Sequence, residues 1–255
     1  MMIGGRNVGT ILGAPFQMRH YRAFFGMPGL YGDFMHNLRR YLLASGPYPY
    51  SPVLKTLAGK IQPTLFSHHD LLTVNEIFAR RDYETFPETK VVVDFGSNIG
   101  ISALYFLTHS PKSFVYLFEP LPRNIGRLKA NLKGFESRYK LYEKAISTEA
   151  GIVDFGVEDT GRYGGIGVQT GESLKVEALD INVVLGDILA KEGHIDILKM
   201  DVEGLETKLL LAIKPEFLEK IGNIYMEDKL TKPFYPKLFI ARQYGTVCQL
   251  INKGL

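Results

Sequence analysis

The sequence predicts an α/β fold built on a mostly parallel, doubly wound sheet. From residue 90 onward, short apolar runs alternate with helical patterns, and continuous apolar runs are typical of strands buried on both faces. Residues 1–65 differ, because prolines cut them into pieces too short for a regular sheet. We therefore expect an N-terminal helical extension over residues 1–84 and an α/β domain over residues 85–255.

The composition indicates a folded protein of a reducing compartment. Of 255 residues, 45% are hydrophobic and 22% charged, which excludes a disordered tail, a collagen repeat and a coiled coil. A single cysteine, Cys248, excludes an intrachain disulfide. Glycines and Pro15 interrupt the first twenty residues and no later stretch reaches membrane length, so we expect neither a secretory leader nor a membrane span. The net charge of +3 is spread along the chain. We expect a cytoplasmic protein with no nucleic-acid partner.

Two helical patterns stand out in the N-terminal extension. Residues 33–43 and 70–81 both place apolar side chains at intervals of three and four, which predicts amphipathic helices. Asp70 stands at the start of the second pattern and is a candidate N-cap.

The predicted α/β domain alternates strands with helices. The strands are expected at residues 91–93, 114–118, 195–200 and 224–226. The helices are expected at residues 101–107, 123–132 and 205–213. Between residues 151 and 181, Gly-punctuated runs predict short additional strands at 151–155 and 174–181. Strand–helix alternation of this kind favours a parallel sheet.

A glycine-containing turn follows the first of these strands. Asp94-Phe95-Gly96-Ser97-Asn98-Ile99-Gly100 joins it to a helix, so the backbone can approach a ligand and point free amide groups at it. Asn98 stands where a dinucleotide fingerprint has its central glycine, and Asp94 suits a cationic ligand better than a pyrophosphate. The turn is interpreted as a cofactor-binding turn, with an ordinary tight turn as the alternative.

A carboxylate ends the second strand. Glu119 follows residues 114–118, and an acidic side chain at that edge of a doubly wound sheet can accept both hydroxyls of a ribose. Taken alone, such a residue is more often a solvated turn residue. Its position one βαβ step after the glycine turn favours the ribose interpretation.

More carboxylates follow the next two strands. Asp201 and Glu203 follow residues 195–200 and could act as a general base, metal ligands or a clamp on an ammonium group. Together with Glu206 they could instead be ordinary helix N-terminal charges. Glu227 and Asp228 follow residues 224–226, so with Asp201 they are candidate ligands of a Mg²⁺ ion that would assist the reaction.

Three of these motifs resemble those of a known family. Asp94-x-Gly-x-Asn-x-Gly100, Phe118-Glu119-Pro120 and Lys199-Met200-Asp201-Val202-Glu203-Gly204 are similar to motifs of the FkbM-type S-adenosylmethionine-dependent methyltransferases. The resemblance extends over about residues 66–250. It implies a Rossmann-like class I methyltransferase fold with a seven-stranded sheet. It also implies O-methylation of a hydroxyl on a small-molecule or glycan acceptor, commonly a sugar or a natural product.

The resemblance assigns roles to individual residues. The residues expected around the methionine part of S-adenosylmethionine are Asp94, Gly96, Ser97, Asn98 and Gly100. Glu119 should bind the ribose, and Pro120, Leu121 and Ser147 should lie near the adenine. Asp201 should lie between cofactor and acceptor, and Asp201 or Glu203 is the candidate base. Because the chain ends soon after a strand at 246–251, the antiparallel last strand of the usual fold is expected to be missing, shifted or supplied by another segment.

Two other functions stay open at this point. One is an NAD-dependent Rossmann oxidoreductase, against which Asn98 argues. The other is a non-catalytic module of the same fold, against which the intact cofactor motifs argue. The aromatic N-terminal extension is a candidate lid or acceptor wall, and equally a candidate surface for a homo-oligomer.

Overall fold

A computed structural model of the chain describes residues 2–3, 6–7, 18–157, 164–168 and 172–255. The chain divides into two compact units, Met1–Glu84 and Thr85–Leu255. None of the helices in the described residues is long and apolar enough to cross a membrane.

The first unit contains helices and two short hairpins. Its elements are β1 Met2–Ile3, β2 Arg6–Asn7, α1 Met18–Leu30, α2 Phe34–Leu43, β3 Leu54–Thr56, β4 Gly59–Ile61, α3 His68–Val74 and a π-helical turn Asn75–Ala79. The predicted helix at 33–43 is confirmed as α2, and Asp33 caps it by accepting a hydrogen bond from His36 N at 3.0 Å.

The second predicted helix of this unit starts earlier than expected, so the assignment of Asp70 as N-cap is wrong. Ser67 is the N-cap of α3, and its hydroxyl accepts a hydrogen bond from Asp70 N at 3.2 Å. The Asp70 carboxylate in turn accepts from Ser67 N at 3.0 Å. This reciprocal arrangement is a capping box, in which an acidic side chain in the first turn supports the cap without being it.

The second unit carries the α/β domain. Its strands are β5 Val91–Phe95, β6 Phe114–Phe118, β7 Tyr139–Tyr142, β8 Ala145–Ser147, β9 Gly151–Val157, β10 Gly164–Ile166, β11 Glu172–Asp180, β12 Ile195–Met200, β13 Ile221–Met226, β14 Phe239–Tyr244 and β15 Val247–Asn252. Its helices are α4 Ile101–His109, α5 Pro122–Asn131, α6 Ile181–Glu192, α7 Glu206–Ala212 and α8 Pro215–Leu218, with a 3₁₀ turn Glu136–Arg138 before β7.

Seven strands form the main sheet, in the order β14-β15-β13-β12-β5-β6-β7. β15 runs antiparallel to both of its neighbours, and the other pairings are parallel. The predicted mostly parallel α/β sheet is confirmed. Its central strands β5 and β12 are buried along almost their whole length, as their continuous apolar runs predicted.

The end of the chain requires a correction. The predicted strand at 246–251 is β15 itself, which supplies the antiparallel strand that was expected to be missing or displaced. The strand that the sequence did not reveal is β14, which pairs with β15 at the edge of the sheet. One residue of β14 is buried and four are exposed, so its sequence lacks the apolar run that marks the central strands.

A second, smaller sheet accounts for the predicted additional strands. Its order is β10-β9-β11-β8, and β9 and β11 correspond to the runs predicted at 151–155 and 174–181. β8, which ends at Ser147, pairs with β11 in this sheet, whereas β7 pairs with β6 at the edge of the main sheet. A small core of Leu121, Ala145, Phe155 and Ala178 packs between the second sheet and the start of α5.

Candidate functional site

A cavity lies at the carboxyl ends of the central strands β5, β6 and β12. Its lining comes from the loops after these strands, from α5 and from the second sheet. The lining residues are Gly96, Asn98, Phe118, Glu119, Pro120, Leu121, Asn124, Lys144, Ala145, Ile146, Phe155, Gly164, Ile166, Asp201, Val202, Glu203 and Leu205. Ligands of doubly wound α/β proteins bind at this edge of the sheet.

The glycine turn reaches across to the end of β12. A Cβ on Gly96 would lie 1.8 Å from the carbonyl oxygen of Asp201, and its φ of +76° lies in the left-handed region. Only glycine fits there. The amides of Gly96 and Ser97 donate to Phe118 O at 3.1 and 3.0 Å, which fixes the turn against β6. The turn is therefore joined to both neighbouring strands.

Glu119 is buried beneath this turn, with 4% of its surface exposed. Its Oε2 accepts a hydrogen bond from Asn98 N at 2.9 Å, and its Oε1 accepts from Leu121 N at 3.0 Å. Burial raises the pKa of Glu119 to about 7, although these amides, the Asn124 side chain and Lys199 act in the opposite direction. The carboxyl group therefore titrates near neutral pH.

A buried cation connects the two halves of the site. Lys199, on β12, is 2% exposed, and its Nζ donates to Asp94 Oδ1 at 2.9 Å and to Gly96 O at 3.1 Å. Nζ also lies 3.3 Å from Asp201 Oδ2. Burial lowers the pKa of Lys199, but the nearby carboxylates of Asp94 and Asp201 outweigh it and leave the pKa raised. Lys199 is thus a charged residue that contacts both the glycine turn after β5 and the Asp201 carboxylate after β12.

The loop after β12 presents two carboxylates to the cavity. Glu206 organises it, because Oε1 accepts from Val202 N at 3.0 Å and Oε2 accepts from Gly204 N at 2.8 Å. Glu203 adopts a φ of +50°, which is unfavourable for a residue with a Cβ and tends to occur at functional sites. Asp201 and Glu203 line the cavity, whereas Glu206 has the local helix N-terminal role that was the alternative for all three.

The structure gathers most of the expected site residues and leaves four outside the cavity lining. Those in the lining are Gly96, Asn98, Glu119, Pro120, Leu121, Asp201 and Glu203; those outside are Asp94, Ser97, Gly100 and Ser147. Asp94 is fully buried and accepts hydrogen bonds from Lys199 Nζ and, at 2.6 Å, from Ser102 Oγ, so its place in the cofactor site stays a prediction. Ser97 Oγ bonds backbone atoms of the strands, donating to Asp94 O, and Gly100 is the N-cap of α4.

Two residues of the site were not identified from the sequence. Lys199 is the one basic residue of an otherwise apolar strand end, and a lysine two positions before Asp201 was the available signal. Asn124 lies in the first turn of α5 and lines the cavity. Its signal is weak, because an asparagine near a helix start is common.

Two of the three expected metal ligands have other partners in the structure. Among the described residues there is no group of three His, Cys, Asp or Glu side chains that could hold a metal ion. Asp201 faces the Lys199 ammonium, while Asp228 accepts hydrogen bonds from Thr207 Oγ1 and from Lys229 N at 2.7 Å. The expected convergence of Asp201, Glu227 and Asp228 on Mg²⁺ therefore stays a prediction that these contacts do not support.

Comparison with known proteins identifies the domain. Residues 94–249 match the Methyltransferase FkbM domain. The AMB antimetabolite synthetase AmbE of Pseudomonas aeruginosa is 28% identical over 193 residues, covering 60% of this chain and 9% of that protein. The 2-O-methyltransferase NoeI of Sinorhizobium fredii is 31% identical over 157 residues, covering 54% of this chain and 62% of that protein.

A solved structure, the methyltransferase FkbM from Methylobacillus flagellatus KT, is 16% identical with a TM-score of 0.47; the match covers 94% of this chain and 60% of that one. The chain thus spans less than two thirds of each of these three proteins. The domain match, together with the strand order, identifies the fold as the Rossmann-like class I methyltransferase fold.

Proposed function

Because the chain belongs to the methyltransferase FkbM family, we propose that it transfers a methyl group from S-adenosylmethionine to a hydroxyl of a small-molecule acceptor, a sugar or a glycosylated natural product. The observation that carries this proposal is the cavity in which Glu119, the glycine turn and the Asp201 carboxylate meet at adjacent strand ends. The similarity to a 2-O-methyltransferase supports oxygen as the methyl acceptor. Nothing in these findings supports an oxidoreductase.

The residues of the cavity suit this cofactor in polarity and in charge. The Glu119 carboxylate is an acceptor for ribose hydroxyls. Leu121, Ile146 and Phe155 form an apolar stretch of the lining that suits adenine. A buried acceptor atom, Asn124 Oδ1, has no hydrogen-bond partner among the described residues and can accept from a ligand. At the other end of the cavity, Asp201 offers negative charge to the cationic methionine part.

The chemistry requires alignment and removal of one proton. Bound S-adenosylmethionine supplies an electrophilic methyl group, so that a C–O bond forms as the C–S bond breaks. The residues of the chain hold the acceptor oxygen in line and accept its proton. Asp201 or Glu203 takes that proton, since both residues line the cavity. Lys199 positions Asp201 by holding Oδ2, which leaves Oδ1 for ligand or acceptor.

Substitution of each carboxylate tests these roles. We expect Asp201→Asn and Glu203→Gln to bind S-adenosylhomocysteine within a few-fold of wild type, and the variant that has lost the base to fall about 10²- to 10⁴-fold in kcat. Radiolabelled methyl transfer onto a panel of sugars and glycosylated metabolites measures kcat. Wild-type protein that binds the cofactor but methylates no acceptor would favour the non-catalytic alternative. Undiminished kcat in both variants would contradict the assignment of the base.

For the unit Met1–Glu84 we propose a part in choosing the acceptor. Its exposed aromatic side chains, among them Tyr21, Phe24 and Phe25, are of the kind that stacks on sugar rings. Phe25 is 74% exposed, so Phe25→Ala should leave the fold intact. We expect this variant to raise KM for the acceptor while the Kd for S-adenosylhomocysteine stays unchanged. An unchanged KM would remove the support for this role.

A further inference from the structure

The first turn of α5 holds a buried amide that faces the cavity. Asn124 is 3% exposed and lines the cavity. Its Nδ2 lies 3.4 Å from Glu119 Oε1, five residues earlier in the chain. Since an ionised carboxylate can only accept hydrogen bonds, Nδ2 is the atom of the amide that faces it. The other amide atom, Oδ1, is left as an acceptor.

Oδ1 has no hydrogen-bond partner among the described residues. A buried acceptor without a partner destabilises a protein, so such groups are rare and call for an explanation. Asn124 lines the cavity to which we assign the cofactor, and this position explains an acceptor without a partner in the protein. A ligand with an O–H or N–H donor at this position would remove the penalty.

The neighbouring carboxylate indicates which donor this is. Each carboxylate oxygen can accept about two hydrogen bonds. Glu119 Oε1 accepts from Leu121 N and faces Asn124 Nδ2, whereas Oε2 accepts from Asn98 N. Oε2 therefore has room for one more donor. Glu119 Oε2 and Asn124 Oδ1 are thus two open acceptors on side chains that contact each other.

We propose that Asn124 Oδ1 and the Glu119 carboxylate form an acceptor pair for the two ribose hydroxyls of the cofactor, with one hydroxyl donating to each. This assignment rests on the function proposed above. A vicinal diol presents two donors next to each other, which matches the two neighbouring acceptors. The adenine amino group is the competing donor, but it lies at the far end of the nucleoside from a hydroxyl bound to Glu119.

The test measures binding and stability rather than methylation. Asn124→Leu removes both amide atoms and keeps the volume. We expect the Kd for S-adenosylhomocysteine to rise about three- to tenfold, as for loss of one hydrogen bond. Because the substitution also removes an unpaired buried acceptor, the melting temperature of the ligand-free protein should not fall. A purely structural asparagine would give a lower melting temperature with little change in Kd.

Another asparagine of the same helix provides the control. Asn131 Nδ2 donates to Ile99 O at 2.9 Å, and Asn131 does not line the cavity. Asn131→Leu should therefore lower the melting temperature and leave the preference among ligands unchanged. Asn124→Leu should thus weaken ligand binding without lowering the melting temperature, whereas Asn131→Leu should lower the melting temperature without changing the preference among ligands.

Ligand analogues identify the donor. Wild type should bind the 2′-deoxy and the 3′-deoxy analogues of S-adenosylhomocysteine more weakly than the parent. In Asn124→Leu, the ratio of the Kd for the analogue to the Kd for the parent should fall to about one for one of these two analogues. If the penalty against S-inosylhomocysteine falls instead, the donor is the adenine amino group and the ribose assignment is overturned. Unchanged penalties against all three analogues would also overturn it.

Binding of S-adenosylhomocysteine by wild type and by Asn124→Leu distinguishes the role of Asn124 from the proposed function of the protein. If wild type binds no S-adenosylhomocysteine, both fall together; if it binds and Asn124→Leu binds equally well, only the role of Asn124 falls. The deoxy analogues also test the acceptor pair in wild type alone, so this test does not require that the variants fold. A deoxy analogue that wild type binds as tightly as the parent leaves one acceptor without a hydroxyl, which contradicts the proposal.

Discussion

At the scale of single residues, the site depends on charges held away from water. Lys199 and Asp94 are almost completely buried and form an ion pair at 2.9 Å. Removing one partner of such a pair leaves the other charge buried and uncompensated, whereas replacing both is much less costly. Lys199 also donates to Gly96 O, so the loss extends to the glycine turn.

We expect Lys199→Met to destabilise the protein by about 3–5 kcal/mol. Lys199→Met combined with Asp94→Asn should lose less than Lys199→Met alone, since the carboxylate then left without Lys199 is that of the partly exposed Asp201 and not a fully buried one. Urea unfolding of both variants, of Asp94→Asn and of wild type measures these free energies. A double variant that is less stable than Lys199→Met by the full cost of Asp94→Asn would argue against the ion pair.

Glu119 should make cofactor binding depend on pH. Burial raises its pKa to about 7, so the carboxyl group is mostly protonated at lower pH, and the ionised form is the better acceptor for hydroxyls. Binding must then release a proton, and the affinity for S-adenosylhomocysteine should rise as pH increases toward about 7 and level off above it. Calorimetry at several pH values measures this, with Glu119→Gln as the control that should be flat.

The same group affects the ligand-free protein in the opposite direction. A carboxyl whose folded pKa is raised stabilises the fold below its unfolded pKa, and this contribution is lost as pH rises through about 7. Glu119→Gln should lack this loss between about pH 4.5 and pH 7. Thermal unfolding of both proteins checks the sign. A wild-type protein that gains stability relative to Glu119→Gln over that interval would contradict the raised pKa.

At the scale of elements, the site exists because a turn and a strand end touch. The turn after β5 lies so close to the end of β12 that a Cβ at Gly96 would overlap the backbone of Asp201. Backbone atoms cannot move aside as a flexible side chain would, and the positive φ adds further strain. The contact places the Asn98 amide, Glu119 and Asp201 around one cavity.

Gly96→Ala should therefore abolish S-adenosylhomocysteine binding and cost about 2–4 kcal/mol of unfolding free energy. Gly204→Ala is the matched control, because Gly204 also has a positive φ, of +87°, but nothing lies within 4 Å of its Cβ position. That variant should lose only about 1 kcal/mol. Calorimetric titration and urea unfolding give both quantities. Equal losses in the two variants would mean that strain, and not the contact, sets the cost.

At the scale of the whole molecule, the strands that could be predicted are those whose burial produces a recognisable local sequence pattern. β5 and β12 were predictable because strands buried on both faces are continuously apolar. β14 was not, because an edge strand needs few buried side chains and its residues read as a polar loop. The pairing of β8 with β11 depends on contacts between distant segments, which a local pattern does not contain.

The site, too, was predictable where a local pattern was sufficient and not where contacts between distant segments decide. The acidic residues after β6 and β12 could be assigned to the cavity because parallel strands end at one edge of the sheet. The contacts of each side chain were less predictable. Asp94 is the last residue but one of β5 and Asp201 directly follows β12, yet Lys199 and Ser102 enclose Asp94 while Asp201 lines the cavity. Which carboxylate meets the ligand is decided by neighbours that lie far apart in the sequence.

Calorimetric titration of the purified protein with S-adenosylmethionine and S-adenosylhomocysteine, with NADH as the control, shows whether the protein binds the proposed cofactor. We predict saturable binding of the first two, a rise in melting temperature in their presence, and no binding of NADH. Folded protein that binds neither S-adenosyl compound would contradict the account, as would binding of NADH in their place.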